Sequence, residues 1–249
     1  MVICLGQQPC GFFPKRFLVA KLVTARRLQQ ELGGRLVLFW HDSDHDHRET
    51  RTSLRDGQGR LVHLNFAVAD KLERKYAPLY LKTIAPGWQD KTARRLPRLA
   101  PHLVELFASI QATRVADFCL AMYRGMGLLE GVEVVRSSDP GVRRAATPVL
   151  EHYADLPYQG RVVRARAYPG GYRLHQGGEA YLEVPAGPVG PEQVSPTRDS
   201  RLVWMQSVIG CTHYVAGASE MVYLDRSATP EITFVERDFV PDAGLGWTG

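Results

Sequence analysis

The sequence predicts an α/β protein: a Rossmann-like parallel sheet with helices on both faces, a mostly helical insertion over about residues 50–130, and a small antiparallel β patch over about residues 160–185. Three observations carry this. Residues 2–5 (Val-Ile-Cys-Leu) form a short apolar run that meets a turn at Gly6. Leu18, Leu22, Ala25, Leu28 and Leu32 then recur at helical spacing, and Gly33-Gly34 ends that helix. Arg35–Trp40 (RLVLFW) is a second near-continuous apolar run. Strand, helix and strand in about forty residues make a βαβ unit, which needs a parallel sheet covered on both faces.

The remaining elements follow in order. Residues 50–66, broken at Asp56-Gly57-Gln58-Gly59, read as a hairpin. Residues 91–126 read as mostly helical, with Leu103, Leu106, Phe107 and Ile110 on one apolar face. Residues 132–135 read as a third core strand and 141–153 as a helix. The antiparallel patch comes from 162–168, 172–175 and Ala180–Val184, and 185–197 is a Pro/Gly-rich connector. A strand at His213–Ala216, a helix from about Ser219 and a strand at 232–235 complete a single domain spanning 1–249.

Composition bounds the function. The 249 residues are 45% hydrophobic and 23% charged, ordinary values for a globular protein with a full core. No apolar run approaches the roughly 20 residues needed to cross a bilayer, and residues 1–5 lack a secretion-signal layout, so the expectation is a cytoplasmic protein with no membrane partner. Cys4, Cys10, Cys119 and Cys211 lack CxxC spacing and read as reduced thiols. The 31 basic residues exceed the 26 acidic, a mild excess that suits a phosphate- or carboxylate-bearing small molecule. No dense basic block with interleaved aromatics argues for nucleic acid; Arg94, Arg95 and Arg98 read as a solvated helix face. Oligomeric state stays open.

Three clusters could carry chemistry. The first is Gly6-Gln7-Gln8-Pro9-Cys10-Gly11-Phe12-Phe13-Pro14-Lys15, between the first strand and helix, where parallel sheets bind ligands. Helix-terminal N–H groups favour an anion there, Lys15, Arg16 or Lys21 would add charge, and the glutamine amides suit a polar substrate. An ordinary Gly/Pro turn is the alternative. The second is His41-Asp42-Ser43-Asp44-His45-Asp46-His47, at the end of the second strand. It reads as acid/base work, with a carboxylate orienting a His45 of near-neutral pKa, as a metal site, or as a polar loop. The third is Tyr214-Val215-Ala216-Gly217-Ala218-Ser219-Glu220-Met221-Val222-Tyr223, where Gly217 admits a ligand, Ser219 would cap a helix and Glu220 could grip an amino group. Cys10 near a helix start is a weak nucleophile candidate, with no assignable base.

Taken together these pieces resemble the bacillithiol biosynthesis cysteine-adding enzyme family, as a shortened relative without that family's C-terminal helical extension. The resemblance runs in order from Gly6 to about Arg237. It comprises Gly6-Gln7-Gln8-Pro9 with Lys21, Phe39-Trp40 then Asp44-His45-Asp46 and Glu49, and Ser138-Asp139-Pro140 with Arg143-Arg144. It closes with Ser195-Pro196, Arg201 and Gln206, then Tyr214-Val215, Gly217, Glu220 and Tyr223. The Glu before the family's Asp-His-Asp is missing here, and no histidine stands in the first strand–helix loop. The resemblance implies a core akin to class I aminoacyl-tRNA synthetases. It also implies a ligase that joins an amino acid, cysteine in that family, through its carboxyl group to an amine acceptor such as an amino-sugar conjugate. ATP with Mg²⁺ is a candidate cofactor for activating the carboxyl group, and no structural metal is expected. His45, Asp44 and Asp46 would be catalytic. Gly6, Gln7, Gln8, Pro9, Lys15, Lys21, Ser195, Arg201, Gln206, Gly217, Ser219, Glu220 and Tyr223 would bind substrate or nucleotide. The rival expectations are a metal-dependent hydrolase built on residues 42–47 and a non-catalytic nucleotide- or substrate-binding relative.

Overall fold

The computed structural model describes residues 1–97 and 99–241, so Arg98 lies outside the described residues. The chain opens with β1 (Val2–Gln7), α1 (Arg16–Leu32) and β2 (Arg35–Trp40), the βαβ unit read from the sequence. The helix stops where the sequence places its glycines: Gly33 and Gly34 take φ of 73° and 99°, and the Gly33 N–H donates to Gln29 O at 2.8 Å. The insertion holds the hairpin β3 (Thr52–Arg55) and β4 (Leu61–Leu64), then α2 (Lys71–Tyr76), α3 (Trp88–Ala93), α4 (Pro101–Ser109) and α5 (Val115–Gly125). Arg94 and Arg95 are exposed, in the turn after α3.

Next come β5 (Val132–Arg136) and α6 (Pro140–Ala145). An antiparallel sheet follows, from β6 (His152–Tyr158), β7 (Arg161–Tyr168), β8 (Gly171–Gly177), β9 (Ala180–Val184) and β10 (Val194–Pro196). The described chain closes with α7 (Arg201–Ile209), β11 (His213–Ala216), the single turn α8 (Ala218–Met221) and β12 (Thr233–Glu236). Two expectations are corrected. The helix expected over 141–153 stops at Ala145, and its last residues begin a strand. The Gln159-Gly160 turn has φ of 47° and 74°, the two positive values that fold β6 tightly onto β7. The supposed connector 185–197 supplies β10, which pairs with β6.

All pairs in the main sheet are parallel, in the order β12-β11-β1-β2-β5. The chain winds outward from β1 through β2 to β5, then returns to β11 and β12 on the other side. This puts the reversal of strand order between β1 and β11, and a crevice opens above their C-terminal ends. Alternation along each strand sorts the core. Ile3, Leu5, Leu36, Leu38 and Trp40 pack against α1 and α5, whereas Cys4, Val37 and Phe39 pack against α7. Among the described residues no helix is long and apolar enough to cross a membrane.

The antiparallel sheet divides its faces by chemistry. Ala154, Leu156, Val163 and Ala165 bury against Tyr76 of α2. The opposite face turns charged groups toward the main body. Arg143 Nη1 of α6 donates to Asp155 Oδ2 at 2.7 Å, and the Tyr80 hydroxyl donates to the same oxygen at 2.8 Å.

Candidate functional site

A cleft of about 1180 Å³ opens at the crevice between β1 and β11. Its floor is the end of β1 and its loop, one wall is the 44–49 loop after β2, and another is the Gly217–Tyr223 segment after β11. Lys71, Arg74, Lys75 and Tyr76 of α2 and the His175–Gly177 end of β8 close the far side. All three sequence clusters therefore meet in one cavity.

The floor is rigid for a reason visible at Phe12 and Gly6. Phe12 is fully buried in an aromatic cluster of the insertion, with ring centroids 5.1 Å from Phe107, 5.5 Å from Trp88 and 5.6 Å from Phe66. Its N–H donates to Thr52 Oγ1 at 2.9 Å. The loop is thus pinned from its far end, and Gln7 and Gln8 are presented on a fixed backbone. Their side-chain amides make no hydrogen bond among the described residues. Gly6 has no room for a side chain, because a Cβ there would collide with the Tyr214 hydroxyl and lie 2.9 Å from His41 Nε2. Gly6→Ala is expected to cost about 1–3 kcal/mol in urea unfolding through overpacking; an unchanged midpoint would mean that the floor yields freely.

Lys21 and Glu220, singled out separately in the sequence, meet across the switch point. Lys21 Nζ of α1 donates to Glu220 Oε2 at 2.5 Å and to Gly6 O at 2.9 Å. The Tyr214 hydroxyl donates to Glu220 Oε1 at 2.9 Å, and the Gly217 N–H reaches Oε2 at 3.4 Å. These two charges neutralise each other and tie α1, β1 and α8 together. The helix cap is Gly217 with Glu220 reaching back, and Ser219, expected as the cap, is instead exposed on the cleft wall.

The 41–47 segment divides by role. Asp42 is fully buried and braces β2 to β5: its carboxylate accepts from Arg136 Nε at 2.6 Å and from the Ser138 N–H and hydroxyl at 3.0 and 2.7 Å. Asp46 is held by Arg48, with Nη2 at 2.9 Å from Oδ2. Asp44 Oδ1 accepts from the His45 and Asp46 N–H groups at 2.6 and 3.1 Å. Burial pushes the Asp44 pKa up, but Arg164, His45 and the Asp46 N–H outweigh it and hold the carboxyl well below the usual range. Asp44 is therefore a permanent anion at the cleft wall. Among the described residues no three His, Cys, Asp or Glu side chains converge as metal ligands.

The near-neutral His45 expected from the sequence is not what the structure holds. Burial first and then Arg164 lower its pKa to about 4. His41, buried under Gly6, is pushed down by burial and then by Arg201. Both rings are neutral in the folded protein, whereas the unfolded chain protonates near the ordinary 6.5. Their contribution to stability is therefore full above about pH 6.5 and is lost as pH falls toward 4. Lys82, pushed down by burial to about 7, makes its change above that window. A melting temperature that drops between pH 6.5 and 4, and drops less in His45→Gln, is the expected result. A flat profile in both proteins would contradict the buried neutral rings.

Four expected ligand contacts lie elsewhere. Pro9 is buried beneath the loop. Lys15 does not line the cleft and pairs with Glu49 on its rim at 3.2 Å. Ser195 is fully buried, and its hydroxyl accepts from Arg164 Nε at 3.1 Å. Gln206 closes the α7–β11 turn, donating to Cys211 O at 3.1 Å and accepting from Cys211 N–H at 2.8 Å. Cys10 is buried on Tyr123, and burial raises its thiol pKa, opposite to what a nucleophile needs.

To Lys21 and Arg201, singled out in the sequence, the structure adds Arg48, Lys71, Arg74, Lys75, Arg198 and Arg237. Eight Lys and Arg side chains line the cleft against four Asp and Glu, so the cavity attracts anions. Lys21 and Arg48 are paired within it. Arg201, Arg237, Arg74 and Lys71 make no side-chain hydrogen bond or ion pair among the described residues. Tyr223 lies under the Arg198 guanidinium, 5.0 Å from ring centre to Cζ. Arg164 on β7 is buried beside His45. Its only signal in the sequence is a second arginine inside an alternating strand, RVVRARAY, which reads as solvent-facing. No protein-family model matches this chain, and no curated protein matches it either, so its functional reading rests on the residues of this cleft.

Proposed function

We propose that this protein is a ligase-like enzyme that joins an amino acid through its carboxyl group to an amine acceptor. The resemblance nominates cysteine and an amino-sugar conjugate as the pair. One observation carries the reading: Arg201, at the first turn of α7 and without a partner among the described residues, faces the switch-point cleft alongside the free amides of Gln7 and Gln8. An unpaired guanidinium is a receptor for a carboxylate or phosphate. The same cleft holds the ionised carboxylate of Asp44. An unpaired guanidinium and a carboxylate in one cavity suit a carboxyl donor and an amine acceptor held side by side. Holding two reactants in this way supplies several kcal/mol of a bimolecular barrier.

ATP with Mg²⁺ would supply the activation of the carboxyl group. Arg201 and Arg237 suit the phosphate charge. Asp46 and Glu49 are already paired with Arg48 and Lys15, so the described residues offer the metal no converging ligand set and Mg²⁺ would arrive with the nucleotide. A hydrolase centred on residues 42–47 has less support, because Asp42 is consumed in bracing the sheet.

The test is a thermal-shift screen with ATP–Mg²⁺, single amino acids and amino-sugar acids. A ligand at a hundred times its Kd adds about 2.7 kcal/mol, enough to raise the melting point visibly. Shifts with an amino acid and with ATP–Mg²⁺ that vanish in Arg201→Ala, followed by amide formation, support the ligase. Tight binding without turnover points to a non-catalytic relative, and a panel without a single shift removes the ligase reading.

A further inference from the structure

We infer that Arg164 is a positioning residue that holds His45 in its Nε2–H tautomer, so that His45 meets the bound reactant as a hydrogen-bond donor and not as a base. Three contacts fix the plane of the Arg164 guanidinium. Nε donates to Ser195 Oγ at 3.1 Å, Nη2 donates to Pro196 O at 2.7 Å, and Cζ sits 3.8 Å from the Tyr153 ring centre. This leaves Nη1, which lies 3.3 Å from His45 Nδ1. A guanidinium has donors only, so Nδ1 must accept, and a neutral imidazole that accepts at Nδ1 carries its proton on Nε2.

The usual arrangement for a histidine base is the reverse, with a carboxylate accepting from Nδ1–H and leaving Nε2 free to take a proton. Among the described residues, the carboxylate that stands within ion-pair range of His45 is that of Asp44. Its Oδ1 already accepts from two backbone N–H groups and stands 3.7 Å from Nδ1, beyond hydrogen-bond range. Arg164 itself lies 3.7 Å from Asp44 Oδ1, so the two charges balance while the ring is claimed by the arginine. The charged groups acting on His45 are Arg164 and Lys82, which disfavour its protonation, and Asp44 and Asp46, which favour it. With burial the result is a ring of pKa about 4, neutral at pH 7. His45 lines the cleft, and Nε2 has no partner among the described residues. An N–H placed there suits a carboxyl or phosphoryl oxygen whose negative charge grows during acyl activation and transfer. The part in turnover rests on the ligase reading; the tautomer does not.

The experiment reads His45 directly, by its ring-nitrogen chemical shifts across a pH titration of the wild-type protein. The expected result is the Nε2–H tautomer with an apparent pKa near 4. In Arg164→Met the pKa rises toward 6.5 and the two tautomers mix, while Arg164→Lys keeps a cation without the planar fork and also loses the single tautomer. An Nδ1–H ring in the wild type, or a titration near 6.5, overturns the inference without requiring any variant to fold. With inorganic pyrophosphate as the probe, His45→Ala is expected to weaken binding about tenfold, the equivalent of about 1.4 kcal/mol. Unchanged pyrophosphate affinity would remove the donor role. A protein with the Nε2–H tautomer that binds pyrophosphate but neither ATP nor any amino acid would lose the ligase reading and keep this one.

Discussion

Arg201→Ala is expected to weaken binding of the anionic substrate about a hundredfold, with the stability of the ligand-free protein unchanged. The two halves have different causes. A guanidinium that meets a carboxylate or phosphate inside a cleft contributes about 2–5 kcal/mol when its partner is otherwise left unpaired, and a hundredfold corresponds to about 2.7 kcal/mol. In the free protein Arg201 has no hydrogen bond or ion pair to lose among the described residues, so its removal falls within about 0.5 kcal/mol of neutral. A second readout is internal. Arg201 is, after burial, the largest influence holding the His41 pKa down, so the variant should let that value climb. Calorimetric titration with the substrate and urea unfolding of the free variant check both halves. Equal affinity in the two proteins would place the anion site elsewhere in the cleft, and lost stability would show that Arg201 is structural.

Lys21→Met is expected to do the opposite, destabilising the fold by about 3–5 kcal/mol. The Lys21 and Glu220 side chains are only 5% and 11% exposed, so removing the ammonium leaves a carboxylate with little access to water. That carboxylate also accepts from Tyr214 and Gly217, so the damage reaches β11 and α8 together. It equally frees Gly6 O at the end of β1. Adding Glu220→Leu should recover much of the loss, because replacing a buried pair with apolar groups is often neutral whereas breaking one is not. Urea denaturation of the single and double variants reads this. A single variant within about 1 kcal/mol of wild type would mean that Glu220 relaxes to solvent.

The two arginines beside this cleft differ in how visible they were. Arg201 stood out through a motif and proves to line the cavity. Arg164 did not, because an arginine at an alternate position of a strand normally faces water, as Arg161 and Arg166 do. The 44–46 loop and the β10 edge cover that face only in three dimensions. Gln206 and Ser195 show the converse error: both sit in suggestive stretches, and both spend their hydrogen bonds on the frame. The polar type of a residue reveals that it needs partners, but not whether a partner is the chain or a ligand.

The parallel sheet was determined by the sequence itself. Strands buried past their first residue, such as Arg35–Trp40 and His213–Ala216, carry apolar residues on both faces, and Gly33-Gly34 marks a helix end through a backbone conformation that glycine adopts freely. The ends of those strands also announced Gln7, Gln8, Asp44 and Glu220, since a parallel sheet delivers ligands to its C-terminal edge. Tertiary structure alone decided the strand at His152–Tyr158, whose Asp155 and Pro157 break the apolar pattern and which exists because β7 folds back on it. It alone also decided that Lys21 is neutralised by Glu220 while Arg201 is left free. Local patterns register burial and turns because these act over a few residues, but charges separated by 199 positions choose their partners only when the chain has closed.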